Sequence, residues 1–314
     1  MTFYAYPIVG NNNPLKNIIG KVDEDNQTLT SLKHEVGKWR KQDEEKYLMA
    51  VNSVCGTLPH QFHQRPCSGF AFQRGGRPAS RAYAKLWEMF ENLPIRCHVK
   101  EAAFLCEAPG GFIQATRDIV RPFSGAHNVQ LSLSEEWHFI AVSLDNEIRW
   151  KLTQEDQRFG HILNLDIHSE IVDRLVMKTY QGRCQLVTAD GGFEIDYNKE
   201  SQENATYDLI RREFEIALHL LDSSNLESTC IVKIFDTEFE NTQKLIAYVA
   251  NRFHKAWLVK PNSSRSINSE RYFVGIGLRN CHMISSHICK VQSELKKRQC
   301  RALQDVQRVF CSDQ

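Results

Sequence analysis

From residue 103 onward, short runs rich in Val, Ile and Phe alternate with longer stretches whose apolar residues fall three and four apart. The first pattern fits buried strands and the second amphipathic helices. The runs are Ala103–Cys106, Phe139–Leu144, His161–Leu165, Gln185–Thr188, Thr229–Ile234, Ala256–Val259 and Tyr272–Gly277. One helical stripe is Ala82, Leu86, Met89, Phe90 and Leu93. A second is Ile210, Phe214, Ala217, Leu218 and Leu221, and a third is Leu245, Val249, Ala250 and Phe253. This alternation predicts an α/β fold: a doubly wound sheet of seven mostly parallel strands with helices on both faces. Ligands of such sheets bind beyond the carboxyl ends of the strands.

The flanks read differently. Gln27–Val54 is polar and helix-prone, with an incomplete stripe of Leu29, Leu32, Val36, Trp39 and Tyr47, as for one or two helices laid on a body elsewhere. Residues 64–79 concentrate Pro, Gly and Arg and form a boundary loop, in which Arg74 and Arg77 beside two glycines can meet phosphate. Residues 288–310 predict a last helix, apolar at Val291, Leu295, Leu303, Val306 and Phe310 and basic at Lys290, Lys296, Lys297, Arg298 and Arg301. The chain thus divides into a helical N-terminal extension and linker (1–77), an α/β domain (78–280) and a basic C-terminal helix (281–314), with no internal repeat.

The 314 residues suffice for a substantial core. Lys and Arg number 39 against 38 Asp and Glu, which excludes a polycation that binds by bulk charge but leaves room for a local basic patch. Apolar runs such as Phe139–Leu144 fall far short of the ~20 residues a membrane helix needs. Met1–Pro7 has neither a basic nor a long apolar region, so no secretory signal is expected. The ten cysteines are then expected as reduced thiols inside the cell. Cys55-His60-His63-Cys67 and Cys281-His282-His287-Cys289 lack paired C-x2-C spacing, and no metal site is expected.

Chemistry concentrates where the strands end. The first runs into Cys106-Glu107-Ala108-Pro109-Gly110-Gly111-Phe112, a strand-to-helix turn whose glycines let backbone amides approach a ligand. Glu107 argues against a bound pyrophosphate and suits a ligand carrying an amino group, which favours S-adenosylmethionine over a dinucleotide. Asp145 follows the second strand, where an acid can accept from ribose hydroxyls; Asp166 follows the third, where it can accept from an adenine amine. Asp190 ends the fourth. Each could equally cap a helix. Lys233 stands inside the fifth strand, where a cation needs a partner or a lowered pKa unless the strand is an edge from which it reaches water. Glu270 immediately precedes the seventh strand region in Asn268-Ser269-Glu270-Arg271-Tyr272.

In order and spacing, E-A-P-G-G-F, A-D-G-G-F, I-V-K-I-F-D and K-P-N-S-S-R-S-I-N-S-E-R-Y resemble the FtsJ-like RNA ribose 2′-O-methyltransferases. Ser80–Glu88 is similar to the cap-specific mRNA branch of that family, cellular and viral. The likeness spans roughly residues 78–280 and implies a Rossmann-like class I methyltransferase fold. It also implies a Lys-Asp-Lys-Glu tetrad at Lys85, Asp190, Lys233 and Glu270, with Lys233 as base or steering group for a ribose 2′-hydroxyl. Asp190 and Glu270 would orient Lys233, and Lys85 would hold the substrate ribose.

The resemblance further implies S-adenosylmethionine as cofactor, held by Glu107, Pro109, Gly110, Gly111, Phe112, Asp145, Asp166 and Asp190. RNA would pass Arg74, Arg77, Arg81, Lys260 and Arg265. The implied partners are the capped 5′ end of mRNA and the capping or transcription machinery, in the nucleus or the cytoplasm, including that of a virus-infected cell. Two other readings stand beside cap methylation: the same reaction on rRNA or tRNA, and a catalytically silent RNA-binding subunit of a capping complex. The four tetrad residues argue against the silent subunit.

Overall fold

The computed structural model describes residues 4–8, 31–35, 38–39, 41–55, 78–96, 98–120, 132–144, 148–193, 202–279 and 288–311. Its strands are β1 (Tyr4–Pro7), β2 (His98–Leu105), β3 (Ser132–Ser143), β4 (Gly160–Asn164), β5 (Leu186–Ala189), β6 (Thr229–Ile234), β7 (Phe253–Lys260) and β8 (Arg271–Leu278). They form one sheet in the order β1-β7-β8-β6-β5-β2-β3-β4. All seven predicted runs are strands, several of them longer than expected. Pairings from β4 across to β6 are parallel, and β8 enters antiparallel between β6 and β7.

The eighth strand corrects the expectation of a wholly helical N-terminal extension. Tyr4–Pro7 pairs antiparallel with β7, from Tyr4 opposite Lys260 to Pro7 opposite Trp257. Pro7 stands on the sheet's edge, where a missing N–H costs no ladder bond.

The helices are α1 (Glu44–Cys55), α2 (Ala82–Asn92), α3 (Gly111–Val120), α4 (Gln154–Phe159), α6 (Gln202–Leu220), α7 (Glu240–Ala250) and α8 (Ile288–Cys311). Between α4 and α6, α5 runs from Glu170–Val172 through a π-helical turn at Asp173–Met177 into Lys178–Tyr180. Two cores cover the two sheet faces. On one, Val172, Ile210, Phe214, Ala217, Ile246 and Val249 from α5, α6 and α7 meet Val187, Val232 and Ile234. On the other, Ala82, Leu86, Met89 and Phe90 from α2, with Phe112 and Ile113 from α3, meet Phe104, Ile231 and Tyr272. The predicted stripes are the packed faces of these helices, except that Phe253, expected at the end of the third stripe, opens strand β7 instead.

A third cluster explains the flanks. Leu32, Tyr47, Ala50 and Val51 pack with Ala302, Leu303 and Val306 of α8, and Ile267 inserts from the loop between β7 and β8. The extensions therefore cover each other and one loop of the α/β body. Lys33 adds an ion pair to Asp236, just beyond β6, at 2.7 Å. Among the described residues, no helix is long and apolar enough to cross a membrane.

Candidate active site

β6 lies between β5 and β8, so Lys233 is not on an edge strand and cannot reach water from one. Side chains alternate along β6: Val232 and Ile234 enter the first core, Ile231 the second. That alternation puts Lys233 on the α2 side, directly opposite Tyr272 of β8. Asp190 follows β5, the neighbouring parallel strand. Lys233 Nζ donates to the Asp190 carbonyl oxygen at 2.7 Å and stands 3.3 Å from Asp190 Oδ1. The Tyr272 hydroxyl donates to that same Oδ1 at 2.8 Å.

Lys85 arrives from α2, whose apolar stripe fixes the helix against the sheet. Its Nζ donates to Glu270 Oε2 at 2.7 Å and lies 5.9 Å from the centre of the Tyr272 ring. Glu270 Oε1 accepts from Ser264 Oγ at 2.7 Å. Lys85, Asp190, Lys233 and Glu270, drawn from four parts of the chain, thus form two ion pairs joined through Tyr272. Burial alone would push the Glu270 carboxyl up, but Lys85, Lys233 and Lys260 outweigh it and hold the group far below the usual carboxylate range. At Lys233 burial works against the ammonium, yet Asp190, Glu270 and Glu213 win and hold it above its ordinary value. The neighbouring acids, rather than burial or the second lysine, decide its charge.

The loop carrying Glu270 is braced on several sides. Glu88, one helical turn past Lys85, accepts the amides of Asn262 at 2.6 Å and Ser263 at 3.0 Å. Arg81 donates to the Ser263 carbonyl at 2.7 Å. Lys260 donates within the loop, to Asn268 Oδ1 at 2.6 Å, Glu270 O at 2.7 Å, Asn268 O at 2.9 Å and Ser264 Oγ at 3.0 Å. Burial pushes the Lys260 ammonium down to about 7, with Arg271 and Lys85 adding to it against Glu270. Arg81 and Lys260, expected along an RNA path, are here engaged in holding the loop; Arg265 lies half-buried in it.

Beside the tetrad, β2 runs into the glycine turn. Gly110 adopts φ +105°, a conformation that disfavours side chains, and its amide donates to the Glu107 carbonyl at 2.7 Å. A Cβ at Gly111 would meet the Tyr83 amide nitrogen at 2.9 Å, so this glycine lets the start of α2 close on the start of α3. Glu107 Oε1 accepts the Phe112 amide at 2.5 Å, while Oε2 is buried and unpaired. Burial, reinforced by Asp190, pushes this carboxyl well above its usual range. A buried oxygen left unpaired beside the Gly110–Gly111 turn fits a ligand that brings a donor.

Asp166, two residues beyond β4, is exposed on the same carboxyl edge and takes the His168 amide on Oδ1 at 2.8 Å. Asp145, Arg74 and Arg77 lie outside the described residues, as do His60, His63, Cys67, Cys281, His282 and His287. Among the described residues, no cluster of His, Cys, Asp or Glu could hold a metal ion.

Sequence reasoning passed over Tyr272, Ser264 and Glu213 as members of the site. Tyr272 had a signal, since two residues past Glu270 in an extended run means the same side. Glu213 also had one: it falls at i+3 from Ile210 and four before Ala217, on the buried face of its helix.

The profile of the FtsJ-like methyltransferase family matches residues 78–278. The chain is 29% identical over 199 residues to a cap-specific mRNA (nucleoside-2′-O-)-methyltransferase of Autographa californica nuclear polyhedrosis virus, covering 62% of this chain and 70% of that protein. It is 27% identical to the Drosophila melanogaster cap-specific mRNA (nucleoside-2′-O-)-methyltransferase 2, over 64% of this chain and 30% of that one. It is 26% identical to the Trypanosoma cruzi cap-specific mRNA (nucleoside-2′-O-)-methyltransferase 1, over 63% and 56%. The match therefore spans most of the viral relative but only about a third to a half of the other two. With a matched region that coincides with the α/β body and its strand-end residues, the chain belongs to the FtsJ-like methyltransferase family.

Proposed function

We propose that this chain transfers a methyl group from S-adenosylmethionine to a ribose 2′-hydroxyl at the 5′ end of capped mRNA. The observation that carries the reading is the convergence of Lys85, Asp190, Lys233 and Glu270 beside the Glu107–Phe112 turn. The names of the viral, insect and trypanosomatid relatives support the capped mRNA end as substrate.

S-adenosylmethionine supplies an electrophilic methyl group on a positively charged sulfur. Glu107, with its unpaired Oε2, would hold an ammonium group of that donor, and the amides around Gly110 and Gly111 would line its approach. Asp166, exposed on the carboxyl edge, would accept from the adenine amine. Lys233 would take the proton from the attacking 2′-hydroxyl. It must first be neutral, and its resting ammonium is held protonated by Asp190 and Glu270. A further positive charge in the site favours the neutral amine. Asp190 would fix the direction of the Lys233 lone pair, and Lys85, held by Glu270, would bind the ribose oxygens. Alignment and proton removal together must supply the acceleration, because a ribose hydroxyl is a poor nucleophile.

The test is methyl transfer from labelled donor to capped, uncapped and ribosomal RNA. Capped RNA should be the preferred acceptor, the product should carry its label on the 2′-oxygen, and turnover should rise with pH as Lys233 loses its proton. A Lys233→Ala chain that keeps full turnover would overturn the mechanism.

A further inference from the structure

Glu213 is fully buried, and no step above uses it. It belongs to α6, whose Ile210, Phe214 and Ala217 pack on the sheet face opposite Lys85 and α2. Its Oε1 accepts the Gly191 amide at 3.1 Å, and the Cys106 thiol lies near the same carboxyl group. A Cβ at Gly191 would sit 2.1 Å from Oε1, so the glycine after Asp190 is what admits the acid. One residue back, the Asp190 carbonyl oxygen accepts a hydrogen bond from Lys233 Nζ. A continuous set of bonds therefore runs from an acid on one side of the sheet to a lysine on the other.

We infer that Glu213 is a positioning residue for Lys233: its carboxyl group holds the Gly191 amide, and with it the Asp190–Gly191–Gly192 turn on which the lysine is anchored. The inference rests on the role given to Lys233 in the proposed function.

The charged and titratable groups facing Glu213 are Lys233, Asp190, Cys106 and Cys230. Burial pushes Glu213 up to about 8, against Lys233 and with Asp190. Near neutral pH it is thus a neutral acid that accepts the Gly191 amide without adding negative charge beside Lys233. Once ionised, it stabilises the Lys233 ammonium and works against proton removal.

The test compares the full chain with Glu213→Gln and Glu213→Ala. It reads turnover on capped RNA from pH 6.5 to 9.5, KM for both substrates and the thermal midpoint. The glutamine keeps an acceptor oxygen for Gly191 and should retain turnover within about threefold at pH 7, then exceed the parent chain above about pH 8. The alanine should lose about tenfold or more in kcat with both KM values changed less than about twofold. A merely structural role would lower the midpoint and leave kcat of the folded chain intact.

Full kcat in the alanine chain, or an equal loss in both variants, overturns the inference. Should the alanine chain fail to fold, Gly191→Ala takes its place, because its methyl group displaces the Glu213 carboxyl and must cause the same kcat loss. If the parent chain methylates no RNA, the proposed function fails, and crystal structures of the variants decide the positioning role. Lys233 Nζ more than about 3.5 Å from the Asp190 carbonyl in the alanine chain, but not in the glutamine chain, supports it. An unchanged turn refutes it.

Discussion

Gln299 donates its side-chain amide to the Ile267 carbonyl at 2.9 Å, which ties the C-terminal helix to the loop that ends at Glu270. The Ile267 side chain sits in the same cluster, among Tyr47, Leu303 and Val306. The extensions thereby set the placement of a tetrad residue without touching it. Gln299→Ala leaves a buried carbonyl unpaired and should cost about 1–3 kcal/mol, seen as a lowered thermal midpoint. Deleting residues 288–314 bares the cluster as well and should reduce kcat on capped RNA by about tenfold or more in the fraction that folds. A truncated chain with full turnover would show that the loop holds its shape unaided.

Lys85 and Glu270 form a pair in which each side chain is only about a tenth exposed, at 11% and 10%. Breaking such a pair from one side leaves a buried charge, so Lys85→Met should cost about 3 kcal/mol of stability along with nearly all turnover. The pH dependence has a definite sign. Glu270 is held below its unfolded value, so its contribution is present above about pH 4.5 and is lost as pH falls through the folded value. The difference in unfolding free energy between the parent chain and Glu270→Gln should be largest above about pH 5 and shrink toward pH 2. Urea titrations across that range measure it.

Glu213 behaves in the opposite sense. Its folded value, about 8, lies above the ordinary 4.5, so the folded chain binds the extra proton and loses stability as pH rises between those values. Glu213→Gln removes that loss. Between pH 5 and pH 9 the parent chain should fall behind this variant by a few kcal/mol. Parallel stability curves for the two proteins would mean that Glu213 stays ionised throughout.

Much of this was legible in the residues. Lys233 inside an apolar run and Asp190, Glu107 and Glu270 at strand ends are expensive choices for packing alone, and the structure brings all four to one edge of the sheet. β1 was not legible, because four residues of aromatic and small character carry no pattern until β7 is beside them. The role of Gly191 was not legible, since only the fold shows an acid from α6 occupying the space of its missing Cβ. Lys260 was expected along an RNA path, and its engagement was not legible because its acceptors, Ser264, Asn268 and Glu270, lie within ten residues in a loop whose shape no periodicity encodes.

Lys260 and Arg265 can be told apart by salt. An RNA-facing cation releases about one counterion on binding, so its loss reduces the salt dependence of RNA affinity by about one in log–log slope. Lys260 has its ammonium surrounded by Ser264 Oγ, both Asn268 oxygens and the Glu270 carbonyl. Replacing it with Met should leave the slope unchanged, lower the thermal midpoint and reduce kcat, because the loop holding Glu270 loses its central donor. Arg265→Ala should instead lower the slope and weaken RNA binding at low salt with little effect on the midpoint. Affinities for a capped RNA from 50 to 300 mM salt discriminate the two. If Lys260→Met lowers the slope, its ammonium leaves the loop when RNA binds.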